Sequence, residues 1–160
     1  MKVETNIQKL FLTENKYPST YSTDLNTELN KLVKNYPTFV NGGVIMKNEV
    51  SLLKIYDKMV FIVNYDTSNT QDSHWVGIVK INTIVFHFGS YGIPPLQEIL
   101  DKFKRNNKIY YNDIAVQLDN SRICGNLTLY VIQELVKGKL FREILGKIYV
   151  LSNRYRIDKS

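Results

Sequence analysis

Cysteine is nearly absent from this chain and histidine is almost as scarce: 160 residues hold one of the first and two of the second. One cysteine cannot close an internal disulfide, so the sequence fits a reducing, intracellular setting. Two histidines and one thiol also argue against a closed four-ligand zinc site. With 4 prolines and 8 glycines, the composition excludes a Pro/Gly-rich disordered segment. No stretch approaches the roughly 18 consecutive apolar residues of a membrane span. The opening "MKVETNIQKLFLTENK" lacks the continuous apolar core of a signal peptide, so neither membrane insertion nor secretion is expected. Runs of like charge are missing too. The formal charge is +6 and the pI about 9.3, yet the lysines are scattered singly. That pattern reads as a generally basic surface rather than a dedicated nucleic-acid stripe.

What is present is ordinary for a globular protein, with 44% hydrophobic and 22% charged residues. The length suits a single domain over residues 1–160. Leu25, Leu29, Leu32, Val33 and Tyr36 recur at helical spacing from Ser22 to Tyr36, and Pro37 stops them. "MVFIVNY" (Met59 to Tyr65) reads as a buried strand. After the polar "DTSNTQDS", the segment His74 to Gly92 reads as two strands around a tight turn near Asn82. Pro94 and Pro95 suit the first turn of a helix with Leu96, Ile99, Leu100 and Phe103 on one face, ending near Asn106 and Asn107. "KIYY" and "IAVQL" read as two short strands. A helix then runs to Lys137, capped by Asn120 or Ser121 and terminated at Gly138. "KLFREILGKI" closes the chain as an amphipathic helix. The fold expected is α+β: a central mixed or antiparallel sheet flanked by helices.

The lone thiol sits at the mouth of the greasiest helix. Leu127, Leu129, Tyr130, Val131, Ile132, Leu135 and Val136 leave almost no polar side, so this helix belongs in the core. Cys124 falls in its first turn, where free backbone N–H groups and the positive end of the macrodipole favour a thiolate. Gly125, next to it, lets another backbone approach closely. A thiol nucleophile needs a base, and the chain offers His74 and His87. His87 alternates with Phe86 and Phe88 and reads as a partly exposed or hydrogen-bonded strand residue. His74 opens a strand directly after a polar loop, where catalytic groups concentrate, and Trp75 beside it reads as a core or cleft-wall residue.

Taken in order, "NYDTSNTQDSHWVGIV", "FHFGSYGIPP" and "QLDNSRICGN" resemble the adenovirus-type (adenain-like) cysteine proteases. That family occurs in large DNA viruses, virophages and virus-like transposons and is related to the SUMO-specific proteases. The resemblance rests on Asn64 and Asp66 before His74–Trp75, on "GSYGIPP", and on Gln117 seven positions before Cys124–Gly125 (124 − 117 = 7). "FVNGGVIMKNEV" also looks like the family's segment before its central strand. The resemblance implies a papain-like arrangement with the nucleophile at the N-terminus of a buried helix. It makes Cys124 the nucleophile, His74 the base and Gln117 an oxyanion-hole donor beside the Cys124 amide. Trp75, Gly125 and Asn64 would line the substrate site. No cofactor or metal is implied. Implied substrates are viral precursor polypeptides cut during virion maturation, in the host cytoplasm or nucleus and in the virion. A monomer is expected, with a nucleic-acid or peptide activator as a conceivable partner.

One position departs from the pattern. The family's acid, which orients the histidine, falls on Gly89. Hairpin geometry leads to the same place. A two-residue loop at Ile81–Asn82 pairs His74 with Gly89 (74 + 89 = 80 + 83), and a loop at Asn82–Thr83 pairs it with Tyr91. In both registers the odd-numbered residues of the second strand face His74, because side chains alternate. Either a Cys–His dyad works without the acid or the enzyme is degraded. The alternatives are therefore a deconjugating isopeptidase for ubiquitin- or SUMO-like modifiers, and an inactive, protease-like binding module.

Overall fold

The computed structural model describes residues 22–65, 74–115 and 124–159, with backbone only at 22–24, 124 and 151–159. Its centre is a five-stranded sheet in the order β1 (Val40–Met46), β2 (Lys58–Asn64), β3 (Trp75–Ile81), β4 (Ile84–Gly89) and β5 (Lys108–Tyr111). The three middle strands pair antiparallel, and each outer pair is parallel. Parallel neighbours need a crossover. A 3₁₀ helix, Lys47–Leu52, supplies one between β1 and β2, and a short helix, Gln97–Phe103, supplies the other between β4 and β5. The remaining helices are Ser22–Lys34, Cys124–Val136 and Phe141–Lys159. Among the described residues the α-helices, in chain order, are α1 (Ser22–Lys34), α2 (Gln97–Phe103), α3 (Cys124–Val136) and α4 (Phe141–Lys159).

Helices cover both faces, which is why Met59 to Val63 are buried without alternation. On one face Val60, Ile62, Trp75, Val79 and Phe88 pack with Leu25 and Leu29 of α1, Leu127 and Val131 of α3, and Ile144 and Ile148 of α4. On the other, Phe61, Val63, Tyr65, Val76 and Ile78 pack with Val50 of the 3₁₀ helix and Ile99 and Phe103 of α2. Gly77 lets α3 lie this close to the sheet. A Cβ there would come within 2.8 Å of the Thr128 methyl and 3.2 Å of Ile132. The sheet is mixed, with helices on both sides, as expected for the α+β class. Among the described residues no helix is long and apolar enough to cross a membrane.

The β3–β4 hairpin turns at Asn82–Thr83, with Ile81 opposite Ile84 and Val76 opposite Gly89. Asn82 takes the left-handed conformation (φ 56°) that asparagine tolerates better than most residues. The pairing ends at Val76 and Gly89, after which the chain turns at Ser90–Tyr91, the Gly92 N–H bonding the Gly89 carbonyl at 3.0 Å. Gly138, also left-handed (φ 93°), ends α3 as expected, its N–H bonding the Leu135 carbonyl at 3.0 Å.

Several boundaries differ from the sequence reading. α2 ends at Phe103, before the end expected near Asn106 and Asn107. Pro94 and Pro95 precede α2 rather than forming its first turn. Each proline disfavours helical backbone in the residue before it, and Leu96 is still extended (ψ 163°), so the helix starts at Gln97. Ile114 and Ala115 are not in a strand, because β5 ends at Tyr111 and the backbone of 113–115 packs against Gly92. The rest of "IAVQL" lies outside the described residues, as does the cap at Asn120 or Ser121. α1 stops at Lys34, short of Tyr36. α4 continues to Lys159, past the end expected at Ile148, since no proline or glycine follows Gly146 to break it.

Candidate active site

His74 immediately precedes β3, and its carbonyl accepts the N–H of Tyr65 at 3.0 Å. Its side chain points to the α2 face, where it is 7% exposed. Two phenol rings stand perpendicular to the imidazole: Tyr91 at 4.8 Å between centroids and 84°, and Tyr65 at 5.7 Å and 85°. Nε2 of His74 is buried with no hydrogen-bond partner among the described residues. It faces Gly89: a Cβ on that glycine would lie 3.4 Å from Nε2. The odd-numbered side of β4 thus faces His74, and the place of an orienting acid carries no side chain.

Asn112 holds that bare position in place. Only 2% exposed, it accepts the Gly89 N–H at 3.1 Å and donates to the Gly89 carbonyl at 2.6 Å, extending the β4–β5 pairing by a side-chain fork. Its amide is therefore committed to backbone and does not stand in for the acid. Nothing in the sequence pattern singled out Asn112. Its position after the last residue of "KIYY" was the available clue.

A second unforeseen feature is the pair Tyr65–His87. The Tyr65 hydroxyl and His87 Nε2 lie 2.8 Å apart, and the Leu96 N–H donates to the same hydroxyl at 3.5 Å. That leaves the phenol proton for Nε2. His87 is hydrogen bonded, as one of its expected readings had it, but it is fully buried rather than partly exposed. Its Nδ1 has no side-chain partner among the described residues and faces only the backbone of His87 itself. Burial pushes the Tyr65 hydroxyl above its ordinary range, so it stays protonated.

Burial also lowers both imidazoles, His74 to about 4 and His87 to about 3, with the neighbouring His74 adding to the effect on His87. Both are neutral at pH 7, the state a general base requires. The unfolded chain binds these protons near pH ~6.5. Below that, unfolded molecules take up protons that folded molecules refuse, and stability falls until the folded histidines ionise at about 4 and 3. The urea midpoint should therefore drop steeply from pH 7 to pH 4. His87→Leu should flatten that slope, whatever it does to stability at pH 7. An unchanged slope would assign the acid sensitivity to other groups.

Cys124 is the first residue of α3, and Gly125, buried, is the second. One turn on from Cys124, the Thr128 hydroxyl reaches the carbonyl of Trp75 at 3.5 Å. The N-terminal end of α3 therefore abuts the start of β3. Trp75 itself is buried in the α1/α3 core, as a core residue rather than an open cleft wall. Asn64 pairs with Trp75 across β2 and β3. Gln117 and Asp66 lie outside the described residues. No group of three or more His, Cys, Asp or Glu side chains suited to a metal ion occurs among the described residues.

No family profile matches the sequence, and no curated protein is detectably similar to it in sequence. Solved structures are similar. The pS273R protease of ASFV superposes with a TM-score of 0.63 at 13% identity, over 84% of this chain and 66% of that one. This chain thus spans just under two thirds of that protease. The C-terminal protease domain of yeast Ulp1, solved in complex with the SUMO ortholog Smt3, superposes at 0.55 with 12% identity, over 99% of this chain and 95% of the domain. A structure of the SUMO protease Ulp1 with its catalytic cysteine oxidised to a sulfinic acid gives 0.54 at 12% identity, over 96% and 95%. The chain has the α+β fold shared by these SUMO-protease and adenain-like cysteine proteases.

Proposed function

We propose that this chain is a thiol endopeptidase in which Cys124 attacks the scissile carbonyl and His74 takes up its proton. The observation that carries the reading is the convergence of two elements at one rim of the sheet. α3 packs on the face opposite His74, and its first turns lie against the start of β3, where the Thr128 hydroxyl reaches the Trp75 carbonyl. There Cys124 opens the helix, and the next turn of the same helical face touches Trp75, the residue after His74. A helix mouth supplies backbone N–H groups and positive potential to a thiolate. A buried, neutral imidazole supplies the base. Attack forms a thioester and expels the amine, which takes back the proton from His74. Water then cleaves the thioester, with His74 again as base. Gln117 and the Cys124 amide would bind the oxyanion.

The substrates we assign to it are viral structural precursors cut during particle maturation, in the infected cell or the virion. The motif order and the likeness to a viral protease support that assignment. A second reading, an isopeptidase acting on ubiquitin-like modifiers, is supported by the near-complete coverage of the Ulp1 domain. Catalysis in either case is by a dyad, since position 89 provides no acid.

Because Cys124 is the only cysteine, alkylation reports on it without ambiguity. Iodoacetamide should modify the protein at pH 6.5 at least tenfold faster than the His74→Ala variant. The gap should close above pH ~9, where a thiol ionises unaided. Equal rates at pH 6.5 would separate the two residues and remove the peptidase reading.

A further inference from the structure

We propose that Tyr91 and Tyr65 hold the His74 imidazole in its working orientation, doing for the ring what the missing carboxylate would do, with His87 fixing Tyr65 in turn. The inference rests on the peptidase reading and names the residues that make a dyad sufficient. An imidazole at the start of a strand can turn about its terminal torsion. A carboxylate bonded to Nε2 normally prevents this and selects the tautomer. Here Nε2 looks onto Gly89, and the Asn112 amide is spent on that glycine's backbone.

What surrounds the ring instead is aromatic. Tyr91 and Tyr65 both stand within a few degrees of perpendicular to it, at 4.8 and 5.7 Å. Edge-to-face packing at these separations is attractive through the ring quadrupoles, and turning the imidazole would lose both contacts. A clamp must itself be fixed. Tyr91 lies in the turn that follows β4, closed by the Gly92 N–H bonding the Gly89 carbonyl at 3.0 Å. Tyr65 is buried, and its hydroxyl is bonded to His87 Nε2 at 2.8 Å. That bond also accounts for a histidine with no exposed surface in an otherwise apolar cluster: its one described side-chain hydrogen bond fixes the clamp.

Four variants test this, each scored by iodoacetamide alkylation of Cys124 at pH 6.5, with thermal melting as a check on folding; the three tyrosine variants are also scored by ¹⁵N NMR of the His74 tautomer. Tyr91→Leu, at a half-buried site, should slow alkylation by about three- to tenfold, the range an aromatic pair allows, and should give mixed tautomers. Tyr91→Phe keeps the ring and should restore both readouts. At position 65 the hydroxyl matters, so Tyr65→Phe should slow alkylation although the ring remains. His74→Ala separates the two levels of the proposal. If it alkylates as fast as wild type, the peptidase reading and the clamp fall together. If it is slow but Tyr91→Leu and Tyr65→Phe both match wild type with a single tautomer, the clamp alone is overturned.

Discussion

Cys124→Ala should abolish peptide-bond cleavage and leave the folded protein intact. The substitution removes the proposed nucleophile, and the chain has no second thiol to replace it. Its structural cost is small, because position 124 is the first residue of α3 and alanine has the best helix propensity. His74→Ala should lower kcat by about 10²–10⁴-fold, the usual contribution of a positioned base. Gln117→Ala should cost about 10²-fold or more if its amide binds the oxyanion. These losses should fall on kcat rather than KM, because the interactions strengthen only as the tetrahedral intermediate forms. The measurement is steady-state cleavage of a peptide library alongside thermal melting. Residual turnover in Cys124→Ala would assign the nucleophile elsewhere. An unchanged kcat in Gln117→Ala would leave the Cys124 amide as the donor.

What the sequence made legible, and what it hid, follows from the range of the forces involved. α3 was readable because Leu127, Tyr130, Val131, Ile132 and Leu135 declare a buried helix locally, and Gly138 marks its end. The side of β4 that faces His74 was readable because strand alternation survives either hairpin register. The register itself was not, since it turned on which of two adjacent dipeptides bends the chain, and Asn82 with positive φ decided it. β1 carries no local strand signal. "VNGGVIM" has two glycines and no alternation, and its strand state comes from pairing parallel with β2.

The supporting residues were harder for a related reason. Asn112 matters through two bonds to Gly89, 23 positions earlier, and Tyr65 through one bond to His87, 22 positions later. Neither separation leaves a local pattern. Both histidines are visible in the sequence, but their environment is not. Their low proton affinity comes from burial by elements scattered along the chain, which no window of sequence displays.

Gly89→Asp should raise kcat/KM by about tenfold and move the His74 pKa upward from about 4 by roughly one to three pH units. The backbone permits the change, because Gly89 does not have the positive φ that would strain a side chain. Asn112 binds only its N–H and carbonyl, so that fork survives. The new Cβ would lie 3.4 Å from His74 Nε2 and 3.3 Å from a methyl of Val76, which must shift by a few tenths of an ångström. A carboxylate beyond that Cβ can reach Nε2, and its charge favours the imidazolium that forms when the thiol surrenders its proton. At about 4 Å such a pair is worth on the order of 4 kcal/mol before desolvation of the carboxylate is subtracted, which leaves room for a tenfold gain. Gly89→Ala is the control, adding the same Cβ without charge, and it should bring no gain in rate. NMR titration of His74 in the three proteins, beside peptide cleavage, decides the matter. A folded Gly89→Asp variant with wild-type rate and wild-type His74 pKa would mean that another group already serves as the acid.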